Sequence, residues 1–175
     1  MARGLSPAWL AASALPDGRL FRLRVRLLQL AGCAVDRSAT LMDVPRVTAP
    51  DKAASRLRIG AGAFINIECV FDLAAPVTVG DKAYLAHRVM ILTASHEVGP
   101  AGRRAGPRTA APIVIESGAW IGAGVTLLPG VTIGAGSIVA AGSVVIDDVK
   151  PDTMVAGVPA RPVRELVGAG SGSTP

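Results

Sequence analysis

The chain has 175 residues, of which 50% are hydrophobic and only 3% aromatic, with 20 Gly, 13 Pro and a formal net charge of +5. That length supports one domain with a real core and excludes a second of full size. The charge comes mostly from arginine, 15 of the 18 basic residues; guanidinium suits phosphate or carboxylate partners, but without interleaved aromatics the pattern argues against a nucleic-acid-binding protein.

In chain order, residues 1–16 are rich in Ala and Pro and read as irregular. The apolar stretch around Trp9 to Leu15 is short and runs into Arg19, Arg22, Arg24 and Arg26, which does not make a signal peptide. Residues 17–31, DGRLFRLRVRLLQLA, form a candidate helix starting at Asp17. Leu20, Leu23, Leu27 and Leu30 share one face, with three of its four arginines opposite. Two readings stand: the helix packs on the following domain and covers an open β edge, or it makes weak contact with a membrane surface. Residues 32–56 read as an irregular lead-in. Cys33 and Cys69 lack CxxC spacing and read as reduced core thiols of a cytoplasmic protein. No apolar run reaches the length of a transmembrane segment.

From residue 115 an aliphatic side chain recurs every sixth position: Ile115, Ile121, Leu127, Ile133, Val139 and Val145. The same phase holds at Ile59 and Ile65 and again at Val79, Leu85 and Ile91, with a two-residue slip between Phe71 and Val79. Neither the 3.6-residue period of a helix nor the two-residue period of a strand explains this. A triangular prism of short parallel strands does, each hexad forming one side and successive coils stacking their aliphatics into one core. The expected class is mainly β, with a prism over 57–150. One extruded loop interrupts it at 97–112, where arginines, glycines and prolines break the period. Residues 159–167, PARPVRELV, read as a short C-terminal helix, and GAGSGSTP as a flexible tail.

The stretch from 57 to 150 resembles the hexapeptide-repeat, left-handed parallel β-helix of the acyltransferase superfamily. Over 57–166 the segments FINIECVFD, VTVGDKAYLAHRVMILTASHE, IVIESGAWIGAGVTLLPGVTIGAGSIVAAGSVV and AGVPARPVREL resemble sugar acetyltransferases of the galactoside, maltose and nodulation-factor type. Exopolysaccharide or glycoconjugate O-acetyltransferases share this pattern. The resemblance implies transfer of an acyl group from acetyl-CoA to a hydroxyl of a sugar or sugar-containing molecule by a homotrimer. His96, at the base of the extruded loop, would be the general base, because an alcohol attacks a thioester well only as its proton is removed.

The resemblance assigns Asn66 to the acyl or acceptor group, the alternative being an asparagine that satisfies a corner. Asp72 and Glu97 would meet acceptor hydroxyls, with Glu97 also a candidate to orient the His96 ring. Trp120 would line the coenzyme A groove or simply cover a coil edge. Gly122 permits close approach, and Ala123 and Ala141, eighteen residues apart, would stack on adjacent coils along the pantetheine arm. Arg161 and Arg164, on one face of the expected short helix, would clamp phosphate. Related enzymes often carry Thr-Lys after the last strand, where this chain has Ile146 and Asp147. His87 reads as structural, and two histidines cannot make the three-histidine zinc site of prism-shaped carbonic anhydrases, so no metal is expected. An amine acceptor, and a non-catalytic β-helix scaffold, remain as alternatives.

Overall fold

A computed structural model describes residues 6–16, 20–48 and 53–166. Its first elements are two helices, α1 (Pro7–Ser13) and α2 (Phe21–Leu30). The chain then winds in three-sided coils. The first coil is β1 (Ala34–Val35), β2 (Thr40–Leu41) and β3 (Arg46–Thr48), and the second is β4 (Leu57–Ile59), β5 (Phe64–Ile65) and β6 (Val70–Asp72). The third is β7 (Val77–Val79), β8 (Tyr84–Leu85) and β9 (Met90–Ile91), followed by a hairpin of β10 (Ala94–Val98) and β11 (Ala105–Ala110). The fourth is β12 (Ile113–Ile115), β13 (Trp120–Ile121) and β14 (Thr126–Leu127), and the fifth is β15 (Thr132–Ile133), β16 (Ile138–Val139) and β17 (Val144–Val145). A closing hairpin of β18 (Thr153–Gly157) and β19 (Ala160–Glu165) ends the described fold.

These strands form three faces. The first is β1-β4-β7-β12-β15, the second β2-β5-β8-β13-β16-β18-β19 and the third β3-β6-β9-β14-β17. Pairing within the prism is parallel, and both hairpins are antiparallel. This is the hexapeptide-repeat β-helix architecture, in which coil follows coil at the usual strand spacing of about 4.8 Å. Every member of the Ile115 to Val145 series is buried. Turning a corner within two or three residues needs left-handed backbone, which Gly124 and Gly142 supply at φ 68° and 71°.

The prism begins earlier than the sequence reading placed it. Residues 34–48 are a full coil, paired in register with the second: Val35 with Ile59, Leu41 with Ile65, Val47 with Phe71. The six-residue phase runs through Val35, Leu41 and Val47, but these corners lack the repeated glycines that mark later coils. The slip after Phe71 is a lengthened corner, Leu73–Pro76, held where Thr93 Oγ1 accepts from Ala75 N (3.0 Å) and donates to Asp72 O (2.7 Å).

Two helical expectations need correction. Pro7–Ser13 is helical rather than irregular, with the Ser6 side chain accepting from Trp9 N (3.3 Å). The expected helix at 159–167 is instead β19, which folds back on β18 and satisfies the backbone of the last strand on the second face. Residues 167–175 and the expected helix start at Asp17 lie outside the described residues.

The second helix packs on the first coil, but not through Leu20, Leu23 and Leu30 of the expected leucine face. Its buried face is Arg24, Val25 and Leu28, while Leu20, Leu23 and Leu30 are exposed. The open end of the prism presents carbonyls that a leucine cannot satisfy. The Arg24 guanidinium does so, donating to Leu41 O (2.7 Å), Met42 O (2.9 Å), Leu15 O (3.1 Å) and Pro16 O (3.0 Å). One arginine thus ties the α1–α2 connection to the first coil. Among the described residues, no helix is long and apolar enough to cross a membrane.

Cys33 and Cys69 are buried and free. Burial pushes their thiols up to about 12 and about 11 respectively. A thiol whose proton is held more tightly in the folded state contributes stability that is complete below its unfolded pKa and lost as pH rises toward the folded value. Unfolding titrations should therefore show stability falling from about pH 9 upward, and neither thiol should react with an alkylating reagent at pH 8 without denaturant. Replacing Arg24 with Ala leaves several buried carbonyls without a donor, and denaturant melts should show a loss of at least about 3 kcal/mol.

Candidate active site

The base candidate stands on the extruded hairpin. Within β10 and β11, His96 faces Arg108, and the register shifts between His96 and Val98, so that Gly106 and Pro107 lie opposite the single Glu97. Pro107 has no N–H to give the ladder. The Gly106 carbonyl turns to the histidine instead and lies 2.8 Å from His96 Nδ1. A carbonyl only accepts, so Nδ1 carries a proton, and in the neutral form of the exposed ring Nε2 presents its lone pair. That is the tautomer a general base needs. A Cβ on Gly106 would come within 2.9 Å of the Glu97 carbonyl, so glycine is what lets the strands close around this contact. Glu97, next along the strand and exposed, points to the opposite face; Gly106 rather than Glu97 orients the ring.

Asp72 holds the hairpin to the prism. One carboxylate oxygen accepts from Ala74 N (3.1 Å), the other accepts from Ala94 N (2.8 Å), and Arg108, beside His96, reaches the first at 3.7 Å. The residue is buried at the junction of the third and first faces. Its carboxylate is engaged with backbone and Arg108.

The remaining candidates lie along another edge, the corner between the second and third faces. Asn66 opens that corner on the second coil, buried, with its carboxamide oxygen accepting from Ile67 N (2.9 Å). The column continues through hydrogen bonds from Arg88 N to Ile67 O, Gly124 N to His87 O and Gly142 N to Ala123 O, which stacks Ile67, His87, Ala123 and Ala141 in one line. On the fourth and fifth coils this edge is only Gly122-Ala123-Gly124 and Ala140-Ala141-Gly142, a bare backbone groove. Gly122 owes its identity to the coil beside it, since a Cβ there would meet Ala141 N at 2.5 Å. Trp120 projects from the second face, 51% exposed, between Tyr84 and Ile138 in register.

The groove leads toward the closing hairpin, where Gly157 N donates to Ser143 Oγ (3.1 Å). Arg161 faces Ala156 and Arg164 faces Met154 across a register shift. These partners are two residues apart, so both arginines share one face of a strand. The sequence placed them on one face of a helix; the shared face survives through the bulge. They line a cleft of about 550 Å³ with Asp147, Lys150 and Val155, and Arg161 pairs with Asp147 at 3.1 Å. That contact is the consequence of Asp147 replacing the basic residue of the resembling pattern.

Within one chain the base candidate and the groove do not meet. From Asn66 the third face runs through β6 to Asp72 before the His96 hairpin begins, a separation of roughly 15–20 Å at strand rise. His96, Asp72 and Arg108 form one cluster; Asn66, Ala123 and Ala141 form another. Gly106 and Arg108 went unnoticed in the sequence, although the Gly-Pro pair at 106–107 was a bulge signal. Among the described residues no group of three or more His, Cys, Asp or Glu could hold a metal ion. Long-range nitrogen NMR above the ring's titration should find His96 as the Nδ1–H tautomer, and Gly106→Val should turn it into a tautomer mixture.

Residues 112–147 match the family model described as bacterial transferase hexapeptide (six repeats). The chain is 48% identical over 105 residues to nodulation protein L of Rhizobium meliloti, covering 60% of this chain and 57% of that one. It spans a little over half the length of the first curated relatives it matches. The crystal structure of the hexapeptide-repeat containing acetyltransferase of Vibrio cholerae is 37% identical, with a TM-score of 0.76 and coverage of 91% of this chain and 87% of that one; the same protein has been solved in complex with acetyl coenzyme A. A maltose O-acetyltransferase from Clostridium difficile is 26% identical, with a TM-score of 0.77, covering 91% of this chain and 83% of that one. Matched over 91% of its length at 37% identity to a hexapeptide-repeat acetyltransferase, and carrying the repeat itself, the chain belongs to the hexapeptide-repeat acetyltransferase family.

Proposed function

We propose that the protein transfers an acetyl group from acetyl-CoA to a hydroxyl of a sugar or sugar-containing molecule. The observation that carries this is His96, whose Nδ1 is engaged by Gly106 so that Nε2 is left as a base on an exposed hairpin. The galactoside O-acetyltransferase of Escherichia coli, 37% identical over 112 residues, supports a sugar hydroxyl as the acceptor. Acetyl-CoA is the second substrate, supported by the complex of the Vibrio cholerae protein.

In this reading the pantetheine arm lies along the bare corner over Ala123 and Ala141, with Gly122 and Trp120 beside it. Arg161 and Arg164 hold phosphate oxygens at the closing hairpin, where guanidinium gives charge-assisted bonds. Nε2 of His96 takes the hydroxyl proton as the oxygen attacks the thioester carbon, and Asn66 hydrogen-bonds the acyl or acceptor group. Glu97 is available to acceptor hydroxyls, and Asp72 acts through the hairpin it anchors. Since base and groove sit on different edges of one prism, the reading includes a homotrimer in which His96 of one copy faces the groove of the next. Its setting is the cytoplasm.

Thiol release from acetyl-CoA, followed over a panel of mono- and oligosaccharides and amines, tests the reaction. His96→Ala should lower kcat by about 10²- to 10⁴-fold while coenzyme A binding persists. Turnover on amines alone would make it an N-acetyltransferase, and neither turnover nor coenzyme A binding would leave a β-helix scaffold.

A further inference from the structure

The bare corner has a closed end. On the fourth and fifth coils its residues are all Gly or Ala, but the same three positions on the third coil are Ala86-His87-Arg88 and on the second Asn66-Ile67-Glu68. The edge therefore steps outward at His87, one strand spacing beyond Ala123, as Gly124 N to His87 O (2.9 Å) requires. The wall is braced: Arg88 and Glu68 form an ion pair, and the Arg88 side chain holds the Glu68 carboxyl below its ordinary range. His87 itself is exposed on this wall. A linear ligand entering from the Arg161–Arg164 end passes only backbone and methyl groups until it reaches this imidazole.

We propose that His87 is a second catalytic histidine, donating a ring N–H to the thioester carbonyl oxygen at the closed end of the groove. The inference rests on the acetyl-CoA reading above. With phosphates at the arginine hairpin, the acyl end of the donor is the part that arrives at the step. As the acceptor oxygen bonds to the carbonyl carbon, its proton passes to His96 Nε2 and the carbonyl electron pair moves onto oxygen. That oxyanion accepts the His87 hydrogen bond. The carbon–sulfur bond then breaks, the carbonyl re-forms, and the departing thiolate takes the proton from His96 as coenzyme A thiol. A donor aimed at the oxygen where charge develops is worth far more in the transition state than in the ground state. The two imidazoles thus divide the work, one accepting a proton and the other donating a hydrogen bond.

The experiment compares wild type, His96→Ala, His87→Ala and His87→Gln for steady-state turnover, and for calorimetric binding of acetyl-CoA and of free coenzyme A. His87→Ala should lower kcat by about 10²-fold and narrow the difference in affinity between acetyl-CoA and coenzyme A. His87→Gln, which keeps a donor, should recover most of the rate. A wild-type kcat in His87→Ala beside an inactive His96→Ala overturns the inference and leaves the acetyltransferase reading standing. A raised KM for acetyl-CoA with kcat untouched also overturns it, since His87 would then be only a wall. A wild type that neither turns over nor binds acetyl-CoA overturns both.

Discussion

Everything in this molecule depends on one constraint, that an aliphatic side chain must point inward at every sixth residue so that each coil can lie flat on the one before. The backbone ladder fixes the distance between coils, and the buried column of Ile, Leu and Val makes that distance favourable. No coil can bury its inner face alone. The corner positions outside this column are then free to vary, and the contrast between bare and bulky corners creates a groove without any dedicated loop.

Where the repeat is broken, it is broken under control. The hairpin between the third and fourth coils leaves and re-enters the prism at adjoining points, with Thr93 O accepting from Ala111 N at 2.9 Å and Asp72 accepting from Ala94 N. A rigid prism supplies the platform, and a bulge made by a Gly-Pro pair supplies a spare carbonyl for the imidazole. Positioning the imidazole thus uses backbone rather than a carboxylate, so its orientation depends on local strand geometry.

The repeat was legible because its period is long and strict, and the register from Ile59 to Val145 follows from counting. The first coil was less so, since Val35, Leu41 and Val47 keep the phase but lack the glycine corners that make the pattern visible. The C-terminal segment misled for a related reason: Pro followed by Val-Arg-Glu-Leu carries helix formers, yet an open strand edge beside it outweighed that weak local preference. At the site, His96 stood out as a rare side chain at a break in the period. Its orienting contact did not, because it comes from a carbonyl, which every residue has. The stacking of His87 over Ala123 was hidden by the inserted hairpin, which interrupts the eighteen-residue count that linked Ala123 to Ala141.

The buried Arg24 has a meaning beyond its hydrogen bonds. A stack of parallel strands has no natural length, and its first coil offers at Leu41 O the carbonyl that later coils use to bind the coil before them, as Ile65 O accepts from Met42 N and Leu85 O from Asn66 N. By occupying Leu41 O and Met42 O, a side chain stands where another strand would dock. At the far end of the second face, β19 runs antiparallel and carries Pro162, which has no N–H to offer a further strand. The prism is in this sense a terminated fibre: charge stops growth at one end and a reversed, proline-bearing strand stops it at the other.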